Sequence, residues 1–224
     1  MSIFARYVEA DGSYQLTQLG YLAIILVMIA LLLAACFITK ADKKAQTGTR
    51  RLVFSAMAIA LALVTSFIKF IHMPMGGSVT LFSMLFICLI GYWYGLRTGL
   101  MAAIAYGFLQ LIIDPYIISV PQMLVDYIFA FGALGLSGLF SNARHGLIKG
   151  YLVGVLGRYF FAFLSGMIFF GSYAADYNMA APVYSLVYNG AYIGLEALFT
   201  LILIAIPAID KALVRIKTLA MQEA

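Results

Sequence analysis

The chain is short of charge. Asp, Glu, Lys and Arg make up 10% of its 224 residues, while 64% are hydrophobic and mean hydropathy is +1.01. A water-soluble domain needs far more polar surface, so the composition excludes one and leaves an integral membrane protein. Cysteine is scarce as well. Cys36 and Cys88 both fall in apolar runs, so neither a disulfide nor a metal site is expected, and both read as inert buried thiols. The histidines are His72 and His145, which the span order below puts on opposite sides of a membrane. HExxH, GxSxG and P-loop motifs are absent. No catalysis, cofactor or metal is therefore expected, nor any ATPase site. A clear inverted repeat is also missing, which argues against a self-sufficient secondary transporter.

What the chain does have is long apolar runs. A membrane-spanning helix needs about 20 apolar residues, and the runs do not alternate as barrel strands would. They predict an all-α polytopic bundle with spans near 18–38, 52–72, 79–95, 99–113, 119–140, 150–172 and 183–208. Leu33-Ala34-Ala35-Cys36 resembles a lipoprotein cleavage box, but no basic segment precedes it, so the first span reads as a retained helix.

Basic residues set the orientation. Lys40, Lys43, Lys44, Arg50, Arg51, Arg97, Arg144, Lys149, Lys211, Arg215 and Lys217 all fall on one side if seven spans alternate. The loops 73–78, 114–118 and 173–182 carry none. The N-terminus is thus expected outside and the C-terminus in the cytoplasm. The net charge of +5 reads as this topology signal and not as nucleic-acid binding.

Few charges lie inside spans, so each one is informative. Asp126 sits roughly 10 Å inside the outer start of its span, and Asn189 roughly 9 Å inside the outer start of the last one. Tyr184 and Phe170 stand near the same level. An acid, an amide and aromatic faces at one depth suit a flat cationic ligand. The other reading of the aromatics is an interfacial belt. Arg158 and Glu196 share a second depth and are expected to form a structural salt bridge. Lys69 is a competing partner for Asp126, or else snorkels to headgroups. In the second span Ala56, Ala58, Ala60 and Ala62 recur at spacings of two and four. They read either as ordinary packing or as a docking face for another membrane protein.

Several motifs carry a resemblance. They are Gly76-Gly77-Ser78-Val79-Thr80-Leu81-Phe82-Ser83-Met84, Phe108-Leu109-Gln110-Leu111, Pro121-Gln122 with Asp126-Tyr127-Ile128-Phe129-Ala130-Phe131, the run from Arg158-Tyr159-Phe160-Phe161 to Tyr173-Ala174, and Tyr184-Ser185-Leu186-Val187-Tyr188-Asn189-Gly190. From Leu52 to about Leu213 the chain resembles the thiamine-specific substrate-binding (S) component of energy-coupling-factor vitamin transporters. The resemblance implies a six-helix membrane domain over 52–213 that binds thiamine from outside. It implies as partners a transmembrane coupling protein and two cytoplasmic ATPases. Residues 1–45 would add one further N-terminal helix and a basic loop, and 214–224 a cytoplasmic tail. By motif position Tyr116, Asp126, Tyr127, Phe170, Tyr184 and Asn189 would form the pocket, and the small-residue span would dock on the coupling protein. Asp126 stands where the family usually has Glu, Phe170 where Trp is frequent, and Ala162 where a histidine is usual. The last departure leaves a thiamine precursor open as the substrate. An autonomous facilitator is the reading from a different class.

Overall fold

The structure is a computed structural model and describes residues 3–8, 13–23, 26 and 48–222. Most of the expected first span, with Cys36 and the Lys40–Lys44 stretch, lies outside the described residues. Near the N-terminus β1 (Ala5–Val8) pairs antiparallel with β2 (Ser13–Leu16). The rest is helical apart from one small hairpin. The helices are α1 (Thr49–Phe67), α2 (Ser83–Tyr94), α3 (Leu96–Ile113), α4 (Val120–Phe140), α5 (Gly146–Phe169), α6 (Ala181–Ala205) and α7 (Pro207–Met221). Among the described residues α1, α3, α4, α5 and α6 are long and apolar enough to cross a membrane, and α2 is a shorter apolar helix. The architecture is an all-α polytopic bundle, as expected from the hydropathy.

The second expected span is shorter than its apolar run. Helix α1 ends at Phe67, and Lys69–His72 is instead strand β3, paired antiparallel with β4 (Ser78–Thr80). β-Branched residues do not force this change. The Met73–Gly77 turn does: Gly76 and Gly77 sit at φ +94° and +77°, which glycine adopts without strain. Tyr188 and Tyr192 of α6 lie against these two glycines. The hairpin therefore folds back over the bundle.

Helix α2 is the centre of the molecule. It packs against α1, α3, α4 and α5, and Ser83, Met84, Leu85, Ile87, Cys88, Leu89, Ile90, Gly91 and Trp93 are buried. A helix that is apolar all round is buried in a core or in lipid, and here neighbouring helices enclose it. At 12 residues it is roughly 18 Å long, well short of a ~30 Å hydrocarbon core. Its N-terminal amides therefore open inside the protein. Glu196 of α6 meets them. It accepts bonds from Met84 N (3.1 Å), Ser83 Oγ (3.2 Å) and Thr80 Oγ1 (2.6 Å) and is itself 4% exposed. Negative charge at a helix N-terminus is favourable on both dipole and hydrogen-bond grounds.

This corrects the expected Arg158–Glu196 salt bridge. Among the described residues the one ion pair is Lys69–Asp114 at 3.7 Å, close to solvent. The Arg158 guanidinium instead lies 4.3 Å from the Phe131 ring centroid. Matched depth brought Arg158 and Glu196 to one small chamber of about 110 Å³, but the helix N-terminus and two hydroxyls already satisfy the carboxylate.

The alanine stripe of α1 also divides. Ala58 and Ala62 are 3% and 0% exposed and belong to the core, whereas Ala56 and Ala60 are exposed. At 100° per residue a spacing of two turns the side chain nearly to the opposite face, so one face cannot hold all four alanines.

The last helical run breaks at Ile206, whose extended backbone is followed by Pro207, and the chain continues as α7. The residues expected as a cytoplasmic tail from 214 onward thus include the second half of this helix. Ile209, Leu213, Ile216 and Ala220 recur on its inner face, and Tyr94 donates to the Ala220 carbonyl at 3.2 Å. Arg50 donates to the Gln222 carbonyl at 2.9 Å, and Lys217 to the Ser141 carbonyl. Basic residues from the start of α1, the α4–α5 turn and α7 therefore gather at one end of the bundle.

Glu196→Ala should destabilise the protein by about 2–4 kcal/mol, because Met84 N and two hydroxyls lose their acceptor. Melts of Glu196→Ala, Ser83→Ala and their double in detergent should show strong coupling. The same cycle with Arg158→Leu should show coupling below about 0.5 kcal/mol, as expected for groups that share no bond. Strong Arg158–Glu196 coupling would restore the ion pair.

Candidate functional site

At the end of the bundle covered by the β3–β4 hairpin lies a cavity of about 490 Å³. That is within the ~300–1,000 Å³ usual for small-molecule sites. Tyr116, Asp126, Tyr127, Phe170, Tyr184 and Asn189 all line it. The structure thus brings together in one chamber residues from the 114–118 loop and from α4, α6 and the end of α5.

Helix α4 positions the acid. Ser119 caps it by accepting from Gln122 N at 3.3 Å, with Pro121 in the first turn. Residues Leu124–Phe129 then form a π-helical turn that carries Asp126 and Tyr127. Such turns widen the helix by a residue and recur at functional sites. The widening has a visible cause. Gly107 of α3 packs against the Tyr127 carbonyl and Phe131, where any Cβ would collide with backbone. Beyond Gly132 the helix tightens to a 3₁₀ form over Ala133–Phe140. Gly135 and Gly138, three residues apart, face the start of α3 at backbone contact. A period of three places both on one side of a 3₁₀ helix.

Gln122 locks the Asp126 side. Its Oε1 accepts from Ile118 N at 3.0 Å, and its Nε2 donates to the Tyr116 carbonyl at 3.1 Å and to Asp126 Oδ2 at 2.6 Å. Gln122 is 1% exposed, so these bonds hold the 116–119 loop and the carboxylate as one unit. Tyr127 ties the same loop. Its hydroxyl donates to the Asp114 carbonyl and accepts from Tyr116 N, both at 2.8 Å.

Two aromatic walls line the chamber. On one, Tyr116 stacks on Phe170 with centroids 5.9 Å apart, and the Tyr116 and Tyr173 hydroxyls are 2.8 Å apart. On the other, Tyr184 stacks on Tyr188 at 5.6 Å, and Tyr188 meets Tyr192 edge-on at 5.6 Å. Asn189 lines the chamber too, but its amide is engaged. Nδ2 donates to the Ala162 and Ser185 carbonyls at 3.1 and 3.0 Å, and Oδ1 accepts from Tyr192 at 2.9 Å. It orders the α5–α6 crossing, which closes at Gly166, where Ser185 occupies the space a side chain would need.

Sequence reasoning did not assign Gln122, Ser165, Tyr188, Tyr192 or Met75 to the site, yet all line it. Tyr184, Tyr188 and Tyr192 recur every four residues, which was a legible stripe on one helix face. Gln122 stands four residues before Asp126, also a helical neighbour. Met75 reaches the cavity only through the hairpin turn. Arg158, expected to be structural, lines the inner end of the cavity above Phe131. Lys69 reaches Asp114 and not Asp126. Among the described residues no cluster of His, Cys, Asp and Glu is arranged to hold a metal.

Fold and cavity together define a polytopic membrane protein with a chamber of the size usual for a small organic molecule. Comparison with known proteins makes the class specific. The model of the thiamine transporter protein family (Thia_YuaJ) matches residues 52–215, so the chain belongs to that family. The thiamine transporter ThiT of Bacillus subtilis (strain 168) is 33% identical over 154 residues, which is 62% of this chain and 78% of that protein. ThiT of Lacticaseibacillus paracasei is 28% identical over 129 residues, covering 50% of this chain and 64% of its own length. A solved structure of ThiT from Listeria monocytogenes aligns with a TM-score of 0.57 at 26% identity, covering 70% of this chain and 94% of that one.

Gly107→Ala tests the packing that holds the π-helical turn. A methyl there must displace the Tyr127 carbonyl, so the expected cost is about 1–3 kcal/mol of stability with disturbed ligand binding. Thermal melts of the purified variant check this. An unchanged melting temperature would show that the turn does not depend on the close approach.

Proposed function

We propose that the chain is the substrate-binding membrane subunit of an energy-coupling-factor importer and that its ligand is thiamine. The observation that carries this reading is Asp126, a carboxylate held by Gln122 in an aromatic-lined chamber in a family of thiamine transporters. Thiamine pairs a permanently cationic thiazolium with a flat aminopyrimidine. A carboxylate in a poorly hydrated chamber attracts the charge strongly, because little water screens it. Tyr and Phe faces stack on both rings and add cation–π attraction. In this assignment Tyr116, Tyr127, Phe170 and Tyr184 wall the ligand, and Asn189 sets the α5–α6 crossing beneath it.

The basic end formed by Arg50, Arg51, Arg144, Lys149, Lys211, Arg215 and Lys217 faces the cytoplasm in this reading, and the hairpin end faces outside. Ligand then enters beside Met75. In this reading, uptake uses a transmembrane coupling protein and two cytoplasmic ATPases. The exposed Ala56 and Ala60 on α1 are the proposed contact with the coupling protein. Against the described residues α1 is only 11% buried, the least of the spans, which leaves a face for a partner.

A thiamine precursor is the second reading. Ala162 lines the chamber with only a methyl group, so a histidine contact expected from the resemblance is missing there.

Asp126→Asn keeps the volume and removes the charge. Thiamine binding should weaken by on the order of 2–4 kcal/mol with the fold retained, as when a desolvated charge pair is broken. Asp126→Glu should keep most of the affinity. Calorimetric titration of the purified variants decides, and undiminished binding by Asp126→Asn would make the acid structural.

In liposomes the isolated chain should accumulate no thiamine until the coupling protein and ATPases are added. With the full set, Ala60→Trp should lower uptake while leaving equilibrium binding unchanged. Accumulation by the chain alone would favour a facilitator.

A further inference from the structure

Most polar groups around the chamber are already paired within the protein. Gln122, Tyr127 and Asn189 spend their donors and acceptors as described above. Ser185 Oγ donates to the Phe163 carbonyl at 2.7 Å. Elsewhere in the spans Thr65, Ser66, Ser137 and Thr200 likewise donate to backbone carbonyls. This is the usual way a helix in hydrocarbon satisfies a hydroxyl.

Ser165 of α5 does not do so. Its side chain is 1% exposed, and its Oγ has no hydrogen-bond partner. Of the buried polar atoms left in that state among the described residues, Ser165 Oγ is the one whose residue lines the cavity. It faces the Asp126 side chain without closing a hydrogen bond to it. Asp126 Oδ2 is held by Gln122, which leaves Oδ1 for another donor. The site thus presents an acceptor, Asp126 Oδ1, beside an unspent donor, Ser165 Oγ–H.

We propose that Ser165 is a specificity-determining ligand contact that, side by side with Asp126, reads an amino-heterocycle edge. The carboxylate accepts from the exocyclic amino group, and the serine hydroxyl donates to the ring nitrogen next to the amino-bearing carbon. A 4-aminopyrimidine presents this donor–acceptor pair on two nitrogens bonded to the same carbon. An unpaired hydroxyl in this position costs stability in the empty protein and gains its bond only when such an edge arrives. The inference rests on the thiamine reading above.

The test is a cycle between the side chain and the ring nitrogen. Parent and Ser165→Ala are titrated with thiamine and with the thiamine analogue in which that pyrimidine nitrogen is replaced by CH. Ser165→Ala should weaken thiamine binding by roughly 3- to 10-fold, the usual range for one hydrogen bond, and leave the analogue within about twofold. Ser165→Cys, which keeps the shape with a weak donor, should fall between parent and Ala. The empty Ser165→Ala protein should melt no lower than the parent, since the hydroxyl it loses was unpaired. Equal losses on both ligands, no loss on thiamine, or a clear drop in the melting temperature of the empty variant would each overturn the role of Ser165. If the parent binds no thiamine, the functional reading fails first and takes this inference with it. If the parent binds and Ser165→Ala matches it, only the Ser165 assignment fails.

Discussion

A peptide group in hydrocarbon has to find its hydrogen bond inside the protein, and this constraint shapes the site. A bundle of unbroken helices would meet it trivially and would offer a ligand nothing but side chains. This chain breaks its helices within the bundle and repairs two of the breaks with a buried polar side chain. Glu196 closes the N-terminus of α2, and Gln122 binds the loop that precedes α4. The first repair lets the β3–β4 hairpin fold across the bundle. The second fixes the carboxylate of Asp126 against the 116–119 loop. The chamber is the space these departures from regular helix leave open.

The repairs also settle where charge resides. Glu196 is satisfied by a helix end and two hydroxyls, so it does not draw Arg158 away from the chamber. Arg158 remains at the inner end over Phe131. Lys69 is occupied near solvent by Asp114. Asp126 therefore faces the cavity without a basic side chain bonded to it among the described residues, which is the state a site for a cationic ligand requires. Such a carboxylate is costly in the empty protein, and the bound charge offsets that cost.

Much of this was legible in the sequence. Hydropathy gave the helical membrane bundle, and the depths of Asp126, Asn189, Tyr184 and Phe170 gave one shared level. Failures came where side chains, not periodicity, decide. Residues 69–72 are apolar enough to continue a helix, and only the Gly76-Gly77 turn and the tyrosines beneath it reveal the strand. Depth alone matched Arg158 to Glu196, because nothing in the sequence shows that α2 begins inside the protein. The alanine spacing in α1 mixed a period of two with a helix of 3.6, so buried and exposed residues were grouped together. The π-helical turn at 124–129 has no local signature, since its cause is Gly107 on another helix. Ser165 left no signal either, because a hydroxyl without a partner is visible only once every neighbour is placed.

The most direct measurement is identification of what the chamber holds. The protein is purified in mild detergent from cells grown with thiamine and its small-molecule content is extracted and weighed by mass spectrometry, in parallel with Asp126→Asn. The account predicts thiamine at close to one equivalent in the parent and a large depletion in the variant. A neutral ligand in the parent, or thiamine retained equally by both proteins, would contradict it.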